Sequence, residues 1–217
     1  MFERVTIVPL DFDQRALAVA VLADAFHDYP VMRWVLGDAP GYESRLARLV
    51  GLFVANRAWR GEPMFALELA GRAVGVVTMT RPVSPDAPPG LVALREETWA
   101  ELGAEARARY DAFAAASAFT ATSDLHHHVN MLGVRRAHHG AGHARTLLDA
   151  AHVFADADPD SRGVSLSTEL ARNLSLYEHF GYRVTSHARV SDALETWTLF
   201  RPRGTRPGRR NGPPPAD

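Results

Sequence analysis

The sequence predicts an α+β domain in which helices flank one mixed, partly parallel sheet. Three observations carry that expectation. The apolar period switches from helical to alternating at Phe65, a strand–helix–strand order occupies the middle of the chain, and hairpin patterns stand on either side of it. No internal repeat interrupts this order.

Val5 to Val8 is a short β-branched run closed by Pro9, which predicts a first strand. From Gln14, the residues Leu17, Val21, Leu22, Ala25 and Phe26 recur at helical spacing, and Pro30 ends or kinks that helix. Leu46, Leu49, Val50, Phe53 and Val54 repeat the pattern for a second helix with one buried face. Phe65, Leu67 and Leu69 then alternate up to Gly71, and Val74, Val76 and Val77 follow, as in an antiparallel hairpin. Five prolines and glycines between Pro82 and Gly90 make that stretch a loop. Residues 91–121 are rich in Ala and Glu and predict two helices divided near Gly103, a helical insert. A strand is expected over 125–134 and a helix over 142–155, with Leu147, Leu148, Ala151 and Phe154 on one face. Another strand follows over 164–168, a short helix over 173–180, and closing strands over 184–190 and 196–200.

The 217 residues include no cysteine and no lysine. Thiol catalysis, disulfides, Cys-ligated metals, Schiff-base chemistry and a lysine-bearing P-loop are therefore excluded. Net charge is −1, but residues 201–217 carry five arginines against Asp217, which leaves −5 on residues 1–200. The acidic body argues against a nucleic-acid footprint. The tail, rich in Pro and Gly, is expected to be disordered, so one domain spans residues 1–200. The N-terminus lacks the layout of a signal peptide, and the longest apolar run, Ala16 to Ala23, is far too short to span a bilayer. A cytoplasmic protein without membrane contact is expected.

Chemistry concentrates between His126 and Tyr182. A strand ending at Val134 runs into His139-Gly140-Ala141-Gly142-His143-Ala144 and then into an amphipathic helix. Small residues let the backbone approach a ligand, and the free N–H groups of the helix start favour an anion, as in a pyrophosphate seat. A dinucleotide fingerprint would need glycine at position 145, where Arg145 stands. After the next strand, Asn173 and Tyr177 are four residues apart and share one helical face, ahead of Gly181-Tyr182.

Together these two motifs resemble the Gcn5-related N-acetyltransferase (GNAT) family over roughly residues 3–200. Ala25-Phe26-His27-Asp28-Tyr29-Pro30, with Arg172-Asn173-Leu174, Thr196-Trp197 and Arg201-Pro202, is similar to the puromycin N-acetyltransferase branch. The resemblance implies acetyl-CoA as cosubstrate and a small-molecule primary amine as acceptor, with an antibiotic among the candidates. By position, the backbone of Met131, Leu132 and Val134 would pair with pantetheine, residues 139–144 would hold the diphosphate, and Asn173 and Tyr177 would face the sulfur, with Tyr177 as the general acid. His139 stands where the family usually has Gln or Arg.

Two candidates are open for the base. His126, His128 and Asn130 share a strand face with Leu132 by simple alternation, opposite His127 and Val129, and His128 matches a proton-relay position of the arylalkylamine branch. Glu169, at the end of the next strand, could act through a water. Asp28, Tyr29, Trp34 and Asn130 are expected to contact the acceptor, with the helical insert and its Pro-rich loop covering the site and Trp99 and Phe119 as further lining. The pairs His126/His128 and His139/His143 have spacings that could meet on zinc, but they arise readily in a His-rich chain, so no metal is expected. The alternatives in function are a non-catalytic acyl-CoA sensor and a protein N-acetyltransferase. The protein is expected to be a monomer or homodimer.

Overall fold

The alternating segments form strands β1 (Val5–Pro9), β2 (Met64–Leu69), β3 (Arg72–Thr80), β4 (His127–Val134), β5 (Gly163–Thr168), β6 (Arg183–Ser191) and β7 (Leu194–Pro202). The helical segments form α1 (Arg15–Ala25), α2 (Pro30–Leu36), α3 (Tyr42–Ala58), α4 (Pro89–Leu102), α5 (Ala104–Ala118), α6 (His143–Asp156) and α7 (Leu174–His179). The structure is a computed structural model and describes residues 4–38, 40–118 and 125–205. Among these residues the strands make one sheet in the order β1-β2-β3-β4-β5-β7-β6. Only the central β4–β5 pair is parallel, as the strand–helix–strand order requires.

Each face of the sheet buries its own apolar layer. Leu22, Leu46, Leu49 and Val50 of α1 and α3 pack with Val76 and Met131, and α2, α4 and α5 extend that layer. On the other face Leu147, Leu148 and Ala151 of α6 pack with Val77, Val129, Val134 and Leu199. No helix among the described residues is long and apolar enough to cross a membrane.

Three details differ from the sequence reading. First, Pro30 does more than end the first helix: it opens α2, at a position where its fixed φ suits a helix start and its missing N–H costs nothing. Second, Arg201 and Pro202, grouped by composition with the tail, complete β7. Arg201 is 3% exposed and forks onto both oxygens of Asp156 at 3.0 Å. Residues 206–217, the remainder of that tail, lie outside the described residues.

Third, β4 carries a bulge. Thr78 faces Met131 whereas Met79 faces Val129, so Asn130 is the extra residue. His128 and Asn130 face one side and His127 and Val129 the other, but the extra residue reverses the alternation beyond it. Leu132 therefore packs with Val129 on the α6 side, whereas Met131 and Gly133 turn toward α1. A Cβ on Gly133 would sit 2.7 Å from that of Ala25, so glycine is what lets α1 lie against the strand.

Candidate active site

β4 and β5 pair only at His127–Val164, His128–Ser165 and Val129–Leu166. Past that point β4 keeps its bonds to β3, and its other edge opens. The Arg135 N–H donates to Val74 O at 2.7 Å. Antiparallel alternation then turns the N–H and C=O of Val134 and Leu132 away from β3, into the opening. By the same alternation Met131 bonds toward β3 and gives its side chain to the cavity wall.

The opening leads to the glycine turn. Gly140 and Gly142 both have φ of +80°, a left-handed conformation that side-chain-bearing residues adopt only with strain. Gly142 caps α6, whose first paired amide is that of Arg145. Among the described residues, the N–H groups of Gly140, Ala141, Gly142, His143 and Ala144 find no backbone acceptor. They form a cluster of donors at the positive end of a 14-residue helix. His139 is committed elsewhere: its Nε2–H donates to Val134 O at 2.8 Å, which fixes the tautomer, since a carbonyl only accepts.

On the α3 side of the opening lies a cavity of about 290 Å³. His128, Asn130 and Leu132 from β4, Glu169 and Asn173 after β5, Tyr177 from α7 and Tyr29 from the α1–α2 turn all line it. All of these polar groups but Tyr177 have a defined tether. His128 Nδ1 is 2.7 Å from Ser165 Oγ, and enclosure, with Arg57 nearby, lowers its pKa to about 4, so the ring is neutral at pH 7. Glu169 accepts from Thr196 Oγ1 at 2.8 Å, yet burial holds its carboxyl above the ordinary range. Burial and the Glu169 charge push the Tyr177 phenol up to about 12, so it stays protonated. Asn130 Oδ1 accepts from Thr80 Oγ1 at 2.8 Å, and Asn173 Nδ2 donates to Thr168 Oγ1 at 3.3 Å. Tyr29 OH accepts from the Glu169 amide at 3.2 Å and lies 3.2 Å from Thr168 Oγ1, pinning the α1–α2 turn to the end of β5.

Other expected contacts lie elsewhere. Asp28 is two-thirds exposed and outside the cavity, paired with Arg33 at 2.8 Å and His27 at 2.9 Å, and the Arg33 bond holds its carboxyl low. Trp34 packs against the helical core, and its carbonyl accepts from Arg109. Trp99 is core as well, 5.0 Å from the Tyr110 ring. Phe119 lies outside the described residues. The Pro-rich loop does not cover the cavity: Pro82 and Val83 line a separate open cleft with Leu125 and Asp158. Among the described residues the insert reaches the cavity through α5, with Tyr110, Phe113 and Ser117 as its roof.

Sequence reasoning missed Phe53, Arg57, Tyr110 and Phe113, all of which line the cavity. One signal was available. Leu49, Phe53 and Arg57 fall at i, i+4 and i+8, so an arginine continues an apolar helical stripe. Among the described residues no group of three or more His, Asp or Glu side chains is arranged to hold a metal.

Residues 104–198 match the family model for an acetyltransferase (GNAT) domain. That stretch takes in α5, β4, the glycine turn, β5 and α7. Among solved structures, the histone acetyltransferase HPA2 and related acetyltransferase from Corynebacterium glutamicum superposes with a TM-score of 0.68 at 19% identity, over 94% of this chain and 98% of that one. The ribosomal-protein-S18-alanine N-acetyltransferase from Escherichia coli gives 0.54 at 13%, over 96% and 98%. The C-terminal condensation domain of Ebony, solved with beta-alanyl-dopamine, gives 0.62 at 10%, over 93% and 100%. At such identities the likeness is one of fold. None of the curated proteins compared with this sequence matches it significantly.

Proposed function

We propose, from the match of residues 104–198 to the acetyltransferase (GNAT) domain model and from the fold shared with solved acetyltransferases, that the protein moves acetyl from acetyl-CoA to a primary amine of a small molecule. The observation that carries the proposal is the single cavity joining Glu169, His128 and Tyr177 to the open edge of β4. The cosubstrate's chemistry fits the residues present: the unpaired amides of 140–144 suit a diphosphate, and the Leu132 and Val134 backbone edge suits the amides of pantetheine. When bound, acetyl-CoA supplies a thioester, whose carbonyl carbon bonds to the acceptor nitrogen as the carbon–sulfur bond breaks and the sulfur leaves as thiolate.

The chain's own groups then have distinct tasks. An N–H at Leu132, aimed into the opening, would stabilise a forming oxyanion by about 3–4 kcal/mol. An alkylammonium near a pKa of about 10 must lose a proton before it can attack. Glu169 suits that step, directly or through a water, because burial raises its basicity above that of an ordinary carboxylate. His128, with a pKa near 4, is the weaker base and serves better to orient a water. Tyr177, protonated across the working pH range, donates to the departing sulfur. Tyr29 holds the Glu169 backbone and gives the acceptor an aromatic wall, with Asn130 on the facing strand.

Enclosure under α5 favours a small molecule over a polypeptide, and amine antibiotics, as in the puromycin-acetylating branch, belong to the acceptors proposed. Thiol release from acetyl-CoA against a panel of primary amines tests the reading. Turnover with at least one amine is expected, and Tyr177→Phe should lower kcat roughly 100-fold or more while leaving acetyl-CoA binding nearly intact. Heat of coenzyme A binding with no release for any amine would instead identify a non-catalytic acyl-CoA sensor.

A further inference from the structure

Arg57 comes from the last turn of α3 and lines the cavity together with Phe53, Tyr110 and Phe113. Among the described residues its guanidinium takes part in no hydrogen bond or ion pair, and its Nε is buried without a partner. The carboxylate whose charge acts on it, Glu62, is already committed: it accepts from the Arg81 amide at 2.9 Å and Ser84 Oγ at 2.5 Å and pairs with the Arg81 side chain at 3.5 Å. A guanidinium does not shed its charge in a protein, and an enclosed cation without a counter-ion is a costly thing to keep. Its planar fork matches a carboxylate or another oxyanion.

Position separates this charge from the diphosphate seat. Arg57 acts on His128, at the start of β4, whereas the glycine turn follows Val134, six residues and about 20 Å further along the strand. Position also separates it from the acid–base pair. Glu169 acts on Tyr29 and Tyr177 at the end of β5, while Arg57 faces Tyr110 of the α5 roof. The cavity thus has a carboxylate toward the reacting end and a guanidinium toward the roof. Aromatic rings line the wall beside Arg57, with Phe53 and Tyr110 centroids 5.6 Å apart.

We infer that the acceptor carries an anionic group as well as its amine, and that Arg57 binds that group: the substrate class is an arylalkyl amine with a carboxylate or similar oxyanion, as in aromatic amino acids. This rests on the reading of the cavity as the acceptor site. Ammonium toward Glu169 and anion toward Arg57 would orient such a zwitterion in one sense only, with its ring against Phe53, Tyr110 and Phe113.

Two measurements on the full chain test this. Thiol release is compared for phenylalanine, tyrosine and tryptophan against phenethylamine, tyramine and tryptamine. Separately, 3-phenylpropionate, which has no amine to acetylate, is titrated in a thermal-shift assay. The carboxylated acceptors should be preferred by roughly tenfold or more in kcat/KM, and 3-phenylpropionate should raise Tm. Arg57→Met should bring the preference ratio close to one and abolish the 3-phenylpropionate shift, while Arg57→Lys should restore part of both. The Tm of Arg57→Met without ligand should equal or exceed that of the native chain, since an uncompensated charge is removed. Equal or better use of the neutral amines, or a preference that survives Arg57→Met, would overturn the inference and leave acetyl transfer standing. An Arg57-dependent shift with 3-phenylpropionate, but no thiol release from any amine, would keep the anion site and remove the transferase reading.

Discussion

At the residue scale, proton handling follows from how differently one cavity treats three titratable groups. Glu169 lies among Thr196, Tyr29 and Tyr177, and burial outweighs its hydrogen bonds, so its carboxyl titrates above the ordinary range. His128 feels the same exclusion of water with the opposite sign, because for a base the charged form is the protonated one. Since the base must be deprotonated, kcat/KM should rise with pH through the raised Glu169 pKa. Tyr177 stays protonated until about 12 and should contribute no descending limb at ordinary pH. Glu169→Gln should abolish the ascending limb and reduce turnover about 100-fold at pH 7, while His128→Gln should leave the limb in place. Thiol release followed from pH 5 to 10 measures both.

At the element scale, one glycine and one bulge shape the edge proposed to bind acetyl-CoA. Gly142 holds the left-handed cap of α6 that frees the amides of the turn. Gly142→Ala has open space for its methyl but not the backbone freedom. It should cost about 1–2 kcal/mol of stability and raise KM for acetyl-CoA more than it lowers kcat. Gly51→Ala, inside α3 with nothing within 4 Å of its Cβ, should instead stabilise by about 0.5–1 kcal/mol. Urea denaturation with steady-state kinetics separates the two. The glycine turn was legible in the sequence because its residues are adjacent. The bulge at Asn130 was not, since it is a mismatch between β3 and β4, and nothing within β4 announces where its partner falls out of step. That mismatch is why Leu132 and Met131 face the opposite sides from those a strict period of two assigns.

At the scale of the whole molecule, acid should be the condition the fold tolerates least. His128 and His152 are both held at a pKa of about 4, the latter 2.9 Å from Tyr182 OH in the layer under α6. In the unfolded chain each would titrate near 6.5, so below that value the unfolded state binds more protons than the folded one. Stability is therefore fully present above about pH 6.5 and is lost as pH falls toward 4, by roughly 2 kcal/mol per histidine between pH 7 and 5. Tm should fall across that interval, and His152→Gln should show a shallower fall, as read by circular dichroism melts.

What the sequence determined by itself is local: the helical and alternating periods, the glycine turn before α6, and the spacing that puts Asn173 and Tyr177 into one wall. These are properties of neighbouring residues, and the backbone's two repeats translate them directly. Whether an apolar stripe meets another element or a void is decided by parts distant in the chain. Phe53, Tyr110 and Phe113 read as core because they have core spacing, and only the approach of α5 over β4 makes them cavity walls. Asp28 and Trp34 belong to the right segment but turn aside, Asp28 to pair with Arg33 and His27 and Trp34 to pack against the helical core. Arg57 was visible throughout as a cation in an apolar stripe, but that it has no counter-ion among the described residues emerged only once Glu62 had found other partners.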